Sequence, residues 1–284
     1  MISALNKQAD GTIELTITVP KKRVSEAYQK TLSRLAKETE IKGFRKGKAP
    51  LKKVEENIGK TKVYEEVLKN LIPKVYVEAV KEQKIKPIIN PQISVVSLEE
   101  GKDWQIKATT CELPEVDLGN YKQAVKKVLA SEKIWVPGKD EEEKTQEKES
   151  ERMGKIFQTL LKVTKIQVPE LVIQEEVTRM LSRLIDQTRR LGLTVEQYLA
   201  SIGKTSDQLR QEYRLQAEES LKLELILSAI ADKEKIAVSD GEVEKMIEVA
   251  PDEKSKKTME APTQRAYIRQ LLRKQKVIDI LSKL

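Results

Sequence analysis

Histidine is absent from the 284 residues, and cysteine occurs once, at Cys111. Without an imidazole the chain can build neither a Ser-His-Asp nor a Cys-His nucleophile, and no His-ligated zinc site. A lone cysteine excludes an intramolecular disulfide framework and CxxC chemistry. Cys111 reads instead as a small structural residue in a strand. Aromatic residues are scarce, with two Phe, two Trp and seven Tyr. No apolar run approaches the ~20 residues of a transmembrane helix. The N-terminus shows no basic-then-apolar signal pattern. The expectation is therefore a soluble cytoplasmic protein with no membrane partner. The acidic residues show no pairing that singles out an acid/base dyad, and no cofactor or metal is expected.

What is present is charge and periodicity. Charged residues make up 35% of the chain and apolar residues 39%, which leans helical and extended rather than toward a tight enzyme core. The length suits about two domains. Ile13, Leu15, Ile17 and Val19 alternate with Thr12, Glu14, Thr16 and Thr18, the period of a half-buried strand. Asp10-Gly11 signals a turn, with residues 2–8 as hairpin partner. Residues 21–40 carry Val24, Ala27, Tyr28, Leu32, Leu35 and Ala36 on one helical face. A short helix is expected over 51–58 and a longer one over 61–83, which Pro73 is expected to kink or split. Two further strands, around Ile93–Val96 and Trp104–Thr110, flank a turn at Glu100-Gly101-Lys102. The first domain thus reads β-β-α-α-α-β-β, an α+β domain with a small antiparallel sheet and helices.

Residues 117–139 read as a mixed connector ending in Pro137-Gly138. Residues 139–152 are a charge run with interspersed signs, such as Asp140 to Lys144 and Glu149 to Arg152, and suit a solvated helix face. Beyond them the chain reads as all-α, with long helices and arm-like extensions. Thr194 with Gln197, Thr205 with Gln208 and Ser239 with Glu242 each match a capping box. The expected division is 1–116, 117–150 as connector, and 151–284 as a helical domain packing with the connector. Leu181, Leu184, Leu221, Leu225, Ile226 and Ile230 are expected in its core. Met153, Met180, Met246 and Met259 could offer adaptable contacts.

The excess positive charge sits in one place. Residues 1–116 hold 22 Lys and Arg against 16 Asp and Glu, whereas residues 117–284 hold 31 against 29. Residues 42–53, KGFRKGKAPLKK, carry six basic residues and no acidic one. Gly43 and Gly47 permit backbone conformations other residues resist. Phe44 sits among cations instead of on an apolar periodic face. Arg45, Lys46 and Lys48 suit carboxylates or phosphates, and an apolar anchor ringed by cations has the composition of a docking hot spot. A solvated basic turn with Phe44 folded back onto its own domain fits the composition as well. The spacing matches neither GxxxxGK[ST] nor GxGxxG, which argues against nucleotide binding.

At residues 43–50, GFRKGKAP, the chain resembles the ribosome-binding signature of bacterial trigger factors, chaperones that meet nascent chains at the ribosomal exit tunnel. The strand–Pro–helix pattern before it and the NPQISVV and WQIKATTCELPEV segments resemble that family's N-terminal domain. VPELVIQEEVTRMLSRL, LTVEQYLASIGKTSDQLRQEY and ADKEKIAVSDGEVEKMI resemble its helical chaperone domain. The resemblance implies that Phe44, Arg45 and Lys46 dock on the ribosome, framed by Gly43, Gly47 and Lys48. The implied partners are protein and ribosomal RNA of the large subunit at the tunnel exit, and nascent or unfolded polypeptides; a weak homodimer of the free protein is left open. Typical members carry a prolyl isomerase domain of the FK506-binding type, for which the stretch between Leu118 and Glu151 is too short. The expected function is an ATP-independent chaperone acting in folding and export, without isomerase activity. A basic RNA-binding protein without chaperone activity is the alternative.

Overall fold

The computed structural model describes residues 2–132, 145–250 and 252–284. Two compact units emerge: Met1–Leu113 with Pro169–Val172, and Pro114–Val168 with Ile173–Leu284. Among the described residues no helix is long and apolar enough to cross a membrane.

In the first unit the alternating apolar pattern becomes a sheet covered on one face. Strands β1 (Ile2–Lys7) and β2 (Thr12–Val19) form the expected hairpin, with Asp10 accepting from the Thr12 amide at 2.9 Å in its turn. Helices α1 (Lys21–Glu38), α2 (Leu51–Ile58) and α3 (Lys60–Glu82) follow, then β3 (Gln92–Ser97) and β4 (Trp104–Cys111). The sheet order is β1-β2-β4-β3, with every neighbouring pair antiparallel. Leu15 faces Ala108, Ile17 faces Ile106 and Val19 faces Trp104 across the central pair. This register puts one apolar face under α1 and α3, where it packs on Val24, Val67, Leu71, Val75 and Ala79. The opposite face carries Glu14, Thr16 and Thr18, and Glu14 pairs with Lys107 at 2.8 Å. Tyr28, Tyr64 and Trp104 stack in succession, with ring centroids 4.7 and 5.7 Å apart, linking α1, α3 and β4. Cys111 is fully buried at the end of β4.

Helix α3 runs through Pro73 without splitting. A proline here removes one backbone donor and crowds the preceding turn. The residues around it, Leu71, Val75, Tyr76 and Ala79, are all buried against the sheet, so tertiary packing holds the helix together where the local rule predicts a break.

The second unit is helical. It comprises α4 (Tyr121–Glu132), α5 (Thr145–Val163), α6 (Glu170–Arg190), α7 (Val195–Ser201), α8 (Ser206–Lys233), α9 (Asp240–Glu248), α10 (Glu253–Met259) and α11 (Pro262–Ser282). Its main core joins Tyr121, Val125 and Leu129 of α4 to Ile156 and Leu160 of α5, the C-terminal part of α8, and Val277 and Leu281 of α11. Residues 121–132, read above as mixed connector, are thus a helix whose every fourth residue is buried. The first six residues of the charge run, 139–144 including the Asp140–Lys144 pair, lie outside the described residues. Glu149 is exposed on α5.

Two smaller clusters complete the unit. Leu184, Leu199 and Leu209 join α6, α7 and the start of α8. Val243, Ile247 and Ile268 join α9 and α11. All three capping boxes form as expected, with the Thr194, Thr205 and Ser239 hydroxyls each accepting from the backbone three residues on. Among the residues expected in the core, Leu184, Ile226 and Ile230 are buried, while Leu181, Leu221 and Leu225 are half-buried.

Candidate functional site

Helix α1 stops at Glu38 because Thr39 turns extended, and Pro50 opens α2. Between them the chain makes two successive β-turns of the same kind. The Phe44 amide donates to the Ile41 carbonyl at 3.0 Å, and the Lys48 amide donates to the Arg45 carbonyl at 2.9 Å. Each turn has lysine second and glycine third: Lys42-Gly43, then Lys46-Gly47. The glycines have φ of +86° and +79°. A third-position φ near +80° is what a type II turn needs, and an L side chain resists it. A Cβ on Gly43 would meet nothing within 4 Å, and one on Gly47 would lie 3.8 Å from the Lys37 Cα. Backbone conformation therefore demands these glycines; lack of space does not.

The loop has a fixed base and a displayed tip. Ile41 and Ala49, at its two ends, pack with Leu35 and Ile58 against a buried cluster of Leu32, Ala36, Val54 and Val63. The Tyr28 hydroxyl donates to Glu55 at 2.7 Å and ties α1 to α2 beside that cluster. Burial and this bond to a carboxylate push the tyrosine's pKa well above its ordinary value. Residues 42–48 are all exposed. Phe44 keeps 44% of its surface accessible and belongs to no core cluster among the described residues.

The loop concentrates cations with no carboxylate among them. Elsewhere in the unit several cations are paired: Arg23 with Glu78, Arg34 with Glu66, Lys60 with Glu100, Lys107 with Glu14. Among the described residues Lys42, Arg45, Lys46 and Lys48 have no such partner. Four cations and one phenyl ring are thus presented together, with Phe44 and Arg45 at the junction of the turns. All six residues singled out from the sequence, Gly43 through Lys48, are brought into this one feature. The arrangement offers charge-assisted hydrogen bonds around an apolar contact. Among the described residues no group of three or more Cys, Asp or Glu is placed to hold a metal ion.

The helical unit has exposed apolar side chains that the periodicity did not single out. Leu191 and Leu193 flank Gly192 after α6, Leu215 lies on α8, Val249 ends α9 and Tyr267 lies on α11; Val249 is 81% exposed. Of the four methionines noted above, Met246 is exposed, and Met153, Met180 and Met259 are half-buried. The sequence signal for Leu191, Leu193 and Val249 is their place beside a helix end, as in Leu191-Gly192-Leu193, whereas Leu215 and Tyr267 lie inside helices and carry no such signal.

Comparison with known proteins places these features in one context. A family model described as bacterial trigger factor protein matches residues 1–148. A second, described as the trigger factor C-terminus, matches residues 138–283. The two meet within residues 138–148, so no segment of domain size separates them and an isomerase module has no residues to occupy there. Trigger factors of Staphylococcus aureus strains JH9 and Newman are each 40% identical over 108 residues, which is 38% of this chain. That match spans 25% of the length of these curated relatives. A solved trigger factor chaperone, described in terms of promiscuous substrate recognition in folding and assembly, is similar in fold, with a TM-score of 0.69 at 14% identity over 99% of both chains. With the first family model alone covering more than half of the residues and the second continuing to residue 283, this chain belongs to the bacterial trigger factor family.

Proposed function

We propose that the chain is an ATP-independent cytoplasmic chaperone that docks at the ribosomal tunnel exit and shields nascent or unfolded polypeptides. The observation that carries this reading is the twin-turn loop, with its exposed Phe44 and unpaired Arg45, Lys46 and Lys48. An apolar contact surrounded by cations suits both an acidic patch on a large-subunit protein and ribosomal RNA phosphates. Residues 1–116 supply the docking. Residues 151–284 shield the client, with the connector 117–150 standing where relatives carry an isomerase domain; its α4 packs into the helical core. Exposed Leu191, Leu215, Val249 and Tyr267, set among charged neighbours, supply scattered apolar contact that stays soluble. Such contact holds a client weakly, as release requires. No catalytic step is assigned, and a proline-peptide isomerisation assay is expected to read the uncatalysed rate.

Co-sedimentation with 70S ribosomes tests the reading. The parent chain is compared with the triple change Phe44→Ala, Arg45→Ala, Lys46→Ala at low and moderate salt. Pelleting of the parent and not of the triple variant supports docking through the loop. Equal pelleting of both, or of neither, overturns it. A steep salt dependence on naked RNA with no preference for intact ribosomes would favour the RNA-binding alternative.

A further inference from the structure

Every cation of α11 is paired with a carboxylate on another helix. Arg265 bonds Glu244 at 3.3 Å, Arg269 bonds Asp240, and Lys276 bonds Glu242 at 2.6 Å, all three on α9. Arg273 bonds Asp232 at 2.7 Å and Lys274 bonds Glu224, both on α8. Arg273 and Lys276 also donate to the carbonyls of Ile236 and Ala237, at 2.8 and 3.0 Å, in the segment that joins α8 to α9. Arg265, Arg269, Arg273 and Lys276 follow one another by about one turn and so share a face of α11. Pairs elsewhere in the unit stay within one helix, as Arg179 with Glu176 on α6 and Lys222 with Glu218 on α8. Those support their own helix; the α11 pairs join helices.

What they hold down is lightly packed. Helix α9 buries only Val243 and Ile247, in a cluster with Ile268 of α11 that takes in half-buried Leu272. Met246 and Val249, at the far end of α9, are exposed. An element with few buried apolar contacts opens locally at lower cost than the main core. On α11, Tyr267 and Leu271 stand exposed directly beside Ile268 and Leu272. The α9 cluster thus occupies one half of an apolar stripe whose other half is already open.

We infer that α9 is a movable cover held on α11 by an electrostatic latch, which loosens when ions compete for its pairs and joins Ile268 and Leu272 to Tyr267 and Leu271 in one apolar stripe. Apolar burial sets where α9 sits, and the pairs set how firmly. In the three pairs to α9, each side chain is between 29% and 74% exposed, so salt screens them. One exposed pair contributes little, whereas several acting on one short helix add up. The use of the widened stripe for clients rests on the chaperone reading above; the latch itself does not.

Hydrogen exchange on the full chain tests the latch, read at ~10 mM and ~1 M NaCl, between which the Debye length falls from ~30 to ~3 Å. The α9 amides are expected to exchange about tenfold faster at high salt, while those of α4 and α5 keep their rates. Nile red, a neutral apolar dye, is expected to brighten in step. Arg265→Gln with Arg269→Gln is expected to give fast α9 exchange already at low salt and to lose most of the salt response. Arg265→Glu is expected to do the same, and adding Glu244→Arg, which swaps the pair, is expected to restore slow exchange. Exchange in α9 that ignores salt overturns the proposal, because apolar contact has no charge to screen. So does equal acceleration of α4, α5 and α9, which would make the opening global, or a swapped pair no slower than Arg265→Glu alone. Should the variants fold poorly, the salt series on the parent decides. Neither readout contains a client or a ribosome, so the outcome is separate from that of the chaperone reading.

Discussion

Replacing Gly43 and Gly47 by alanine leaves Phe44 and every cation of the loop in place and removes only the backbone freedom that shapes the two turns. The structure sets the size of the effect. Both glycines sit at φ near +80°, and neither has a crowding neighbour. The penalty is thus purely conformational, about 1–2 kcal/mol for each L residue forced into this region. Because residues 42–48 are exposed and only Ile41 and Ala49 engage a core cluster, the loop can relieve the strain by reshaping its turns. Strain then appears as a loss of the displayed conformation, with little change in global stability. At the lower limit the double variant puts about 2 kcal/mol against that conformation, lowering its population and the apparent ribosome affinity about 30-fold. Titration of ribosomes into labelled protein measures the affinity, and a thermal melt checks the fold. Undiminished affinity in a folded double variant would refute the reasoning, since charge and composition alone would then account for docking. A large fall in the melting temperature would refute it differently, by showing that the turns are coupled to the core.

Three other outcomes follow from local features. Gly154 lies inside α5 with ordinary φ and open space where a Cβ would stand, so Gly154→Ala should stabilise by ~0.5–1 kcal/mol and raise the melting temperature by a few degrees. Pro73 is exposed within the continuous α3; Pro73→Ala restores a backbone donor and should add ~1–2 kcal/mol in denaturant unfolding after the gain in unfolded-state freedom is subtracted. Glu242 bonds Lys276 at 2.6 Å and the Ser239 amide at 2.9 Å, which hold its pKa down at about 2, Lys276 being the larger cause. A carboxylate depressed on folding contributes stability above its unfolded pKa and loses it as pH falls through the folded one. Glu242→Gln should therefore melt below the parent at pH 7, and the difference should vanish between about pH 4.5 and pH 2.

The sequence carried the fold wherever one local rule acted alone. Period-two alternation gave β2, and the Ser/Thr-x-x-Gln/Glu spacing gave the starts of α7, α8 and α9. Reading left alternatives open where two rules competed. Pro73 argues for a break, yet the buried faces of Leu71 and Val75 hold α3 in one piece. Tyr121, Val125 and Leu129 carry a helical spacing, but with only three turns and charge on both sides the signal is weak, and α4 declares itself through its partners on α5, α8 and α11. For the loop, charge and glycine were legible in KGFRKGK. That both lysine–glycine pairs occupy the same turn positions, and that Ile41 and Ala49 anchor the ends, required coordinates. Thr31 marks the deeper limit. Periodicity tells which face of a helix meets its neighbour, and Thr31 falls on the same face as Ala27. It cannot tell whether two helices close against each other or stop short. A threonine at a helical interface normally returns its hydroxyl to a carbonyl one turn back, as Thr159, Thr164 and Thr178 do here. Only the positions of the surrounding atoms show that Thr31, on the same kind of helical face, lines an opening between α1 and α3.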